Sequence, residues 1–244
     1  MTQTGEDGAL VFFKAQHRAF LDAIKGKRDI IPALMSLACS SFDGNVEIQA
    51  QGQPDIACHK GCATCCTIRV VATAPEVLMA ARYIRHTKPA FAKQHIDLLQ
   101  RLNEADTATR NLAELERVAL RRRCPFISQG VCVIYPVRPL ACRGHASHDK
   151  KACVDAAASR LDSIPFSMPH MMVRSLVQNA MQSALRNSGL AWAVYELNHA
   201  LVIALSDECS ESDWVAGSDV FADARIADID PNEMASVFDS ISAA

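Results

Sequence analysis

Apolar positions recur at helical spacing over most of the chain. From Ala9 to Ile24, residues Leu10, Phe12, Phe13, Phe20, Leu21 and Ile24 mark one face, and Gly26 suits the stop. A second helix is expected from Ile30 to Cys39, with Pro32 in its first turn and Gly44 beyond its end. Thr73-Ala-Pro75-Glu76 is a capping-box pattern that opens a third helix running to about His86. Lys88-Pro89 then breaks the chain, and residues 90–121 read as one long helix or two, interrupted at the polar stretch Glu104 to Arg110. Helix resumes from Pro169 to Asn187, stopped by Gly189, and again from Ala191 to Ser206. Asp230-Pro231-Asn232-Glu233 repeats the capping pattern before a short terminal helix.

The helical period fails in two places. Residues 50–57 are a polar, turn-rich approach to the first cysteines, and Thr67 to Val71 is a short β-branched run that reads as a small strand. Residues 124–153 carry proline, glycine and β-branched residues instead of a helical stripe. Ser128-Gln129-Gly130 separates two short apolar runs there, the pattern of a small β-hairpin. The expectation is a mainly α fold, a helical domain with an irregular core at about 55–155. Residues 1–205 form that domain, and 206–244 an acidic C-terminal segment.

The 244 residues are 50% hydrophobic, enough for an ordinary core, so cysteines are not needed to staple a small one. Residues 1–20 show no basic stretch followed by an apolar run of secretory type. The longest apolar candidate, Leu190 to Leu205, is interrupted by Glu196, Asn198 and His199, so no membrane span is expected. A cytoplasmic protein with reduced thiols follows. The net charge of -2 conceals an asymmetry, because residues 206–244 hold ten Asp and Glu against one Arg and the remaining chain is positive. That positive charge is not a nucleic-acid signature. Its densest run, Arg121-Arg122-Arg123, directly precedes Cys124, where it reads either as an offset to thiolate charge or as a solvated basic face.

The irregular regions are also where the cysteines concentrate. Cys58, Cys62, Cys65 and Cys66 fall within nine residues, and Cys124, Cys132, Cys142 and Cys153 form a looser second block. Thiolates bind iron and zinc when they converge, and short spacings bring them together at little entropic cost. Cys62-x2-Cys65 has the gap of a zinc knuckle or a ferredoxin loop, and Cys58 adds a third nearby ligand. Cys65 and Cys66 are adjacent, and successive side chains tend to point apart. Cys66 therefore reads as a ligand of a second metal or as a structural thiol. The second block lacks the two-residue pair of a zinc ribbon, and Cys124-Pro125 is similar to the dipeptide closing a bacterial ferredoxin loop. The spacing ranks iron or an iron–sulfur cluster ahead of zinc. Arg138 and Arg143 are candidates to hydrogen-bond cluster sulfur, and His59, His145 and His148 lie near the blocks. Cys39, on an apolar helix face, and Cys209, among carboxylates, stand outside the ligand set. Met168, Met171, Met172 and Met181 are spaced as core filler.

Cys124-Pro125-Phe126, Cys132, Ile134-Tyr135, Arg138-Pro139 and Cys142-Arg143, following the first cysteine block, resemble the YkgJ-type cysteine-cluster family of zinc- or iron-chelating CxxCxxCC domains. The resemblance covers about residues 55–155 and implies metal chelation without a defined reaction. One departure is the gap between Cys58 and Cys62, three residues where the family name has two. Flagellin lysine methylases carry a similar block, so the alternative is an S-adenosylmethionine-dependent protein lysine methyltransferase. Against it, the chain has no glycine-rich strand–turn–helix motif. Cys58-x3-Cys62-x2-Cys65 also matches the spacing of radical S-adenosylmethionine enzymes, but Thr64 replaces their usual aromatic residue and no barrel pattern follows. No serine elbow, phosphate loop or paired-carboxylate constellation is apparent, and a catalysed reaction is neither indicated nor excluded.

Overall fold

Two strand–helix units set the frame. In the computed structural model, which describes residues 3–26, 28–158, 160–161 and 163–243, β1 (Val71–Thr73) runs directly into α3 (Ala74–Lys93), and β4 (Val194–Glu196) directly into α9 (Leu197–Ser206). The two strands pair antiparallel, Val71 opposite Glu196 and Thr73 opposite Val194. A glutamate closes each junction. The Glu76 carboxylate accepts from the Thr73 N–H at 2.7 Å and the Thr73 hydroxyl at 2.8 Å, so the predicted capping interaction between these two residues forms. Glu196 accepts from the His199 N–H at 2.8 Å and pairs with Arg117 at 2.9 Å.

Around this pair the chain is mainly helical, as the periodicity predicts. α1 (Gln3–Gly26) and α2 (Ile30–Gln49) precede β1, and α4 (Leu98–Thr109) and α5 (Glu114–Leu120) follow α3. The hairpin β2 (Ile127–Ser128) and β3 (Val131–Cys132), a 3-10 turn at Tyr135–Val137, and short helices α6 (Leu140–Gly144) and α7 (Lys150–Ala157) come next. Then α8 (Met168–Asn187) precedes β4, while α10 (Ser210–Val215) and α11 (Pro231–Ala243) follow α9. α8 packs against α1, α2 and α6, and α9 against α3 and α4. Phe20, Leu34, Val177, Met181 and Leu201 are fully buried between them; burying each such large side chain contributes about 1.5–3 kcal/mol. The acidic segment adds Trp214, Phe221 and Phe238 to the same core. Among the described residues no helix is long and apolar enough to cross a membrane.

Element boundaries differ where burial overrides local signals. α2 continues through Gly44 to Gln49 because Phe42 and Val46 extend its buried face. α3 passes through Pro89, and its last turn buries Phe91. The interruption after α4 falls at residues 110–113, since Ala105, Asp106 and Thr109 still belong to that helix's buried side. The first strand begins at Val71, while residues 64–67 form turns. Residues 194–196 pair as β4, which delays α9 to Leu197. The predicted hairpin forms, with Gln129 (φ 49°) and Gly130 (φ 80°) both left-handed, as a two-residue type I′ turn requires. Of the four methionines expected in the core, Met181 is fully buried, whereas Met168, Met171 and Met172 are exposed on the first turns of α8.

Candidate metal centre

The two cysteine blocks meet. The Cys124 N–H donates to the Cys66 carbonyl at 2.7 Å, and the Ala57 N–H donates to the Ser147 carbonyl at 2.8 Å. The first block is thus strapped to the chain on both sides of Cys132 and Cys142. Its own loop is a series of turns, with the Cys62 N–H donating to the His59 carbonyl at 2.9 Å and Gly61 at φ 97°, a conformation that favours glycine. The second block is positioned by different elements. Cys132 lies in β3 opposite Ile127, Cys142 is in α6 and Cys153 is in α7.

Glu76 fixes α6. Its second carboxylate oxygen accepts from the Leu140 N–H at 2.7 Å, so one buried side chain ties the start of α3 to the start of the helix carrying Cys142. Burial pushes the Glu76 carboxyl above its usual range, against the pull of the Thr73 and Leu140 N–H groups. Gly144 then lets α6 lie directly on α8. A Cβ there would sit 2.5 Å from the Cβ of Arg174 and 2.7 Å from its Cγ, so only hydrogen fits.

The result is a cavity of about 480 Å³ to which Cys58, Cys62, Cys65, Cys66, Cys124, Cys132 and Cys142 all contribute. All seven are partly buried and none is in a disulfide. Cys65 and Cys66 both face it, contrary to the expectation of divergence, because residues 64–67 turn instead of extending. Cys153 is outside its lining but within electrostatic range of Cys58 and Lys150. The thiols fall into two neighbourhoods. Cys58 feels Cys62, Cys65 and Cys153, while Cys142 feels Cys124, Cys132 and Cys65. Cys65 belongs to both. Among the described residues no three His, Cys, Asp or Glu side chains are gathered closely enough to enclose an ion.

Ionisation differs across the site. Burial pushes the Cys124 thiol up to about 12, and raises Cys142 further and Cys58 and Cys132 in the same direction. Cys65 is raised first by its hydrogen bond with Cys66 and then by burial, against the pull of His145. Cys62 is the exception. Burial opposes its ionisation, but the Lys150 ammonium at 3.0 Å, together with Thr64, holds its thiol below the ordinary value.

Cations line the cavity, though not those the sequence singled out. Arg121, Arg122 and Arg123 are absent from its lining; Arg121 donates to the Ala158 carbonyl and Arg122 faces Glu104 at 3.7 Å. Arg138 and Arg143 do line it, as does His145. Arg143 is committed, donating to the Arg138 and Pro136 carbonyls and to Asp43. The Arg138 guanidinium lies 4.1 Å over the Tyr135 ring, and its Nε is buried without a hydrogen-bond partner. His59 lines the rim, whereas His148 is turned away towards the Asp55 carbonyl at 3.3 Å. Cys209 is exposed, and Cys39 is outside the cavity lining.

Sequence reasoning missed His170 and Arg174, which reach the cavity from α8. Their spacing of four places them on one helical face, the only local signal available for residues so far from either cysteine block.

This donor set, seven thiols with cations beside them, fits iron or zinc chemistry. No curated protein and no solved structure matches the chain. A family model does match, over residues 57–159, and it spans both cysteine blocks. Residues 57–159 of this chain are accordingly similar to the CxxCxxCC family, described as a "Putative zinc- or iron-chelating domain".

Proposed function

We propose that the protein is a cytoplasmic iron-binding protein that holds an iron–sulfur cluster through the two groups of cysteines, Cys58, Cys62, Cys65, Cys66 and Cys153 with Cys124, Cys132 and Cys142. The observation that carries this reading is the convergence of seven of these eight residues on one cavity from separate loops and helices. Cys65 stands between the two thiol neighbourhoods and is the natural shared ligand. Among the described residues no three of these side chains are gathered closely enough to enclose an ion, so ligation entails drawing the thiols together.

The chain's residues divide the work. Lys150 favours the Cys62 thiolate. The raised thiols of Cys58, Cys65, Cys124, Cys132 and Cys142 must release protons as metal binds, and Arg138 offsets the charge that develops. Bound iron would supply electron transfer or a structural anchor. The test is metal analysis after anaerobic purification, combined with serine substitution. Cys65→Ser should remove more metal than Cys153→Ser, and equal metal retention in both variants would contradict the shared-ligand assignment.

A further inference from the structure

We propose that the cavity also binds a small organic carboxylate with an apolar body, held by Arg138 and Arg174. The inference goes beyond metal binding and starts from room and charge. A volume of about 480 Å³ is in the range of small-molecule sites, about 300–1,000 Å³, whereas one water in the liquid takes about 30 Å³. A cluster held at the thiols would take part of that space, and the part beside Arg138 and Arg174 is left for a second ligand.

Two guanidinium groups face the space without the partners their burial calls for. Arg138 keeps a buried, unpartnered Nε and has no ion pair among the described residues. Arg174 is driven down in pKa by burial, its nearest opposite charges being Glu76 and Cys142. It makes no hydrogen bond or ion pair among the described residues. The other two arginines of the lining are already used, Arg69 by Glu114 and Asp228, and Arg143 by Asp43. The Arg174 Cβ and Cγ pack directly against Gly144 of α6.

The rest of the wall selects the ligand. Phe42, Val46, Ile56, Ile134 and Leu197 add apolar surface to the lining. The planar guanidinium fork matches a carboxylate. A monoanion is repelled less by neighbouring thiolates than a phosphate carrying nearly two charges.

The test uses the anaerobically purified, metal-containing protein with benzoate, hexanoate, inorganic phosphate and neutral benzamide as probes. Binding is read by calorimetry, and metal content is measured on the same samples. Benzoate or hexanoate should bind while benzamide does not, and phosphate should bind more weakly. Arg138→Lys and Arg174→Lys should each weaken carboxylate binding about tenfold, equivalent to about 1.4 kcal/mol, and Arg174→Lys should leave the metal content unchanged. Absence of carboxylate binding up to about 10 mM, ten times the Kd that about 4 kcal/mol would give, overturns the proposal while leaving the metal assignment standing. Preference for phosphate, or unchanged binding in both variants, also overturns it. Loss of metal from Arg174→Lys also overturns it, because that arginine then serves the thiolates as counter-charge.

Discussion

The Cys66 carbonyl accepts a 2.7 Å hydrogen bond from the Cys124 N–H, joining the last residue of the first cysteine block to the first residue of the second. Fifty-seven residues and three helices separate them in the chain, yet the backbones touch at the wall of one cavity. Irregular segments held by so few main-chain bonds gain greatly from a ligand that binds only the folded state.

Metal removal is therefore expected to lower stability. At free metal a thousandfold above its Kd the linkage is worth about 4 kcal/mol, or about 8–16 °C in Tm for a domain of this size. Thermal unfolding before and after treatment with a strong chelator checks this. An unchanged midpoint, with metal verifiably gone, would count against a folding role for the site.

Glu76→Ala should destabilise the protein by about 3 kcal/mol, because it strands the buried N–H groups of Thr73 and Leu140. It should also weaken metal retention, since α6 loses the contact that sets Cys142. Denaturant unfolding and metal content measured together separate the two effects, and a variant as stable as the parent would refute this role for the carboxylate.

Gly144→Ala tests the close approach of α6 to α8. The added methyl would lie 2.5 Å from the Arg174 Cβ, and overpacking of this kind costs about 1–3 kcal/mol. A Tm lower by several degrees is expected. If stability is retained, the two helices are separated more easily than their contact implies.

Much of this arrangement was legible in the sequence. The Thr73–Glu76 pair, the Gln129-Gly130 hairpin turn and the helical bulk all follow from local rules, and the structure bears them out. Local rules could not say that Glu76 also binds Leu140, because that contact spans 64 residues. The same limit hid Arg174, whose Cβ and Cγ pack against a glycine in another helix. The arginine run 121–123 misled because proximity to Cys124 in sequence is not proximity to its thiol once Arg121 turns left-handed at φ 48°. Adjacent Cys65 and Cys66 misled for a related reason, since side chains diverge in a strand but not in a tight turn.

Cys39 and Cys209 should be dispensable for the metal, as neither lines the cavity. Elemental analysis of the double alanine variant should return the parental stoichiometry. Loss of metal would mean that the ligand set has been drawn too narrowly.

The most direct test of the central claim is metal analysis with an absorption spectrum on protein purified anaerobically from iron-replete cells. Stoichiometric iron and the brown colour of thiolate-to-iron absorption are predicted, both lost on Cys62→Ser or Cys124→Ser and both kept on Cys209→Ser. A colourless protein with stoichiometric zinc would overturn the iron–sulfur assignment and leave the cysteine ligands standing. Folded protein carrying neither iron nor zinc would contradict the account at its root.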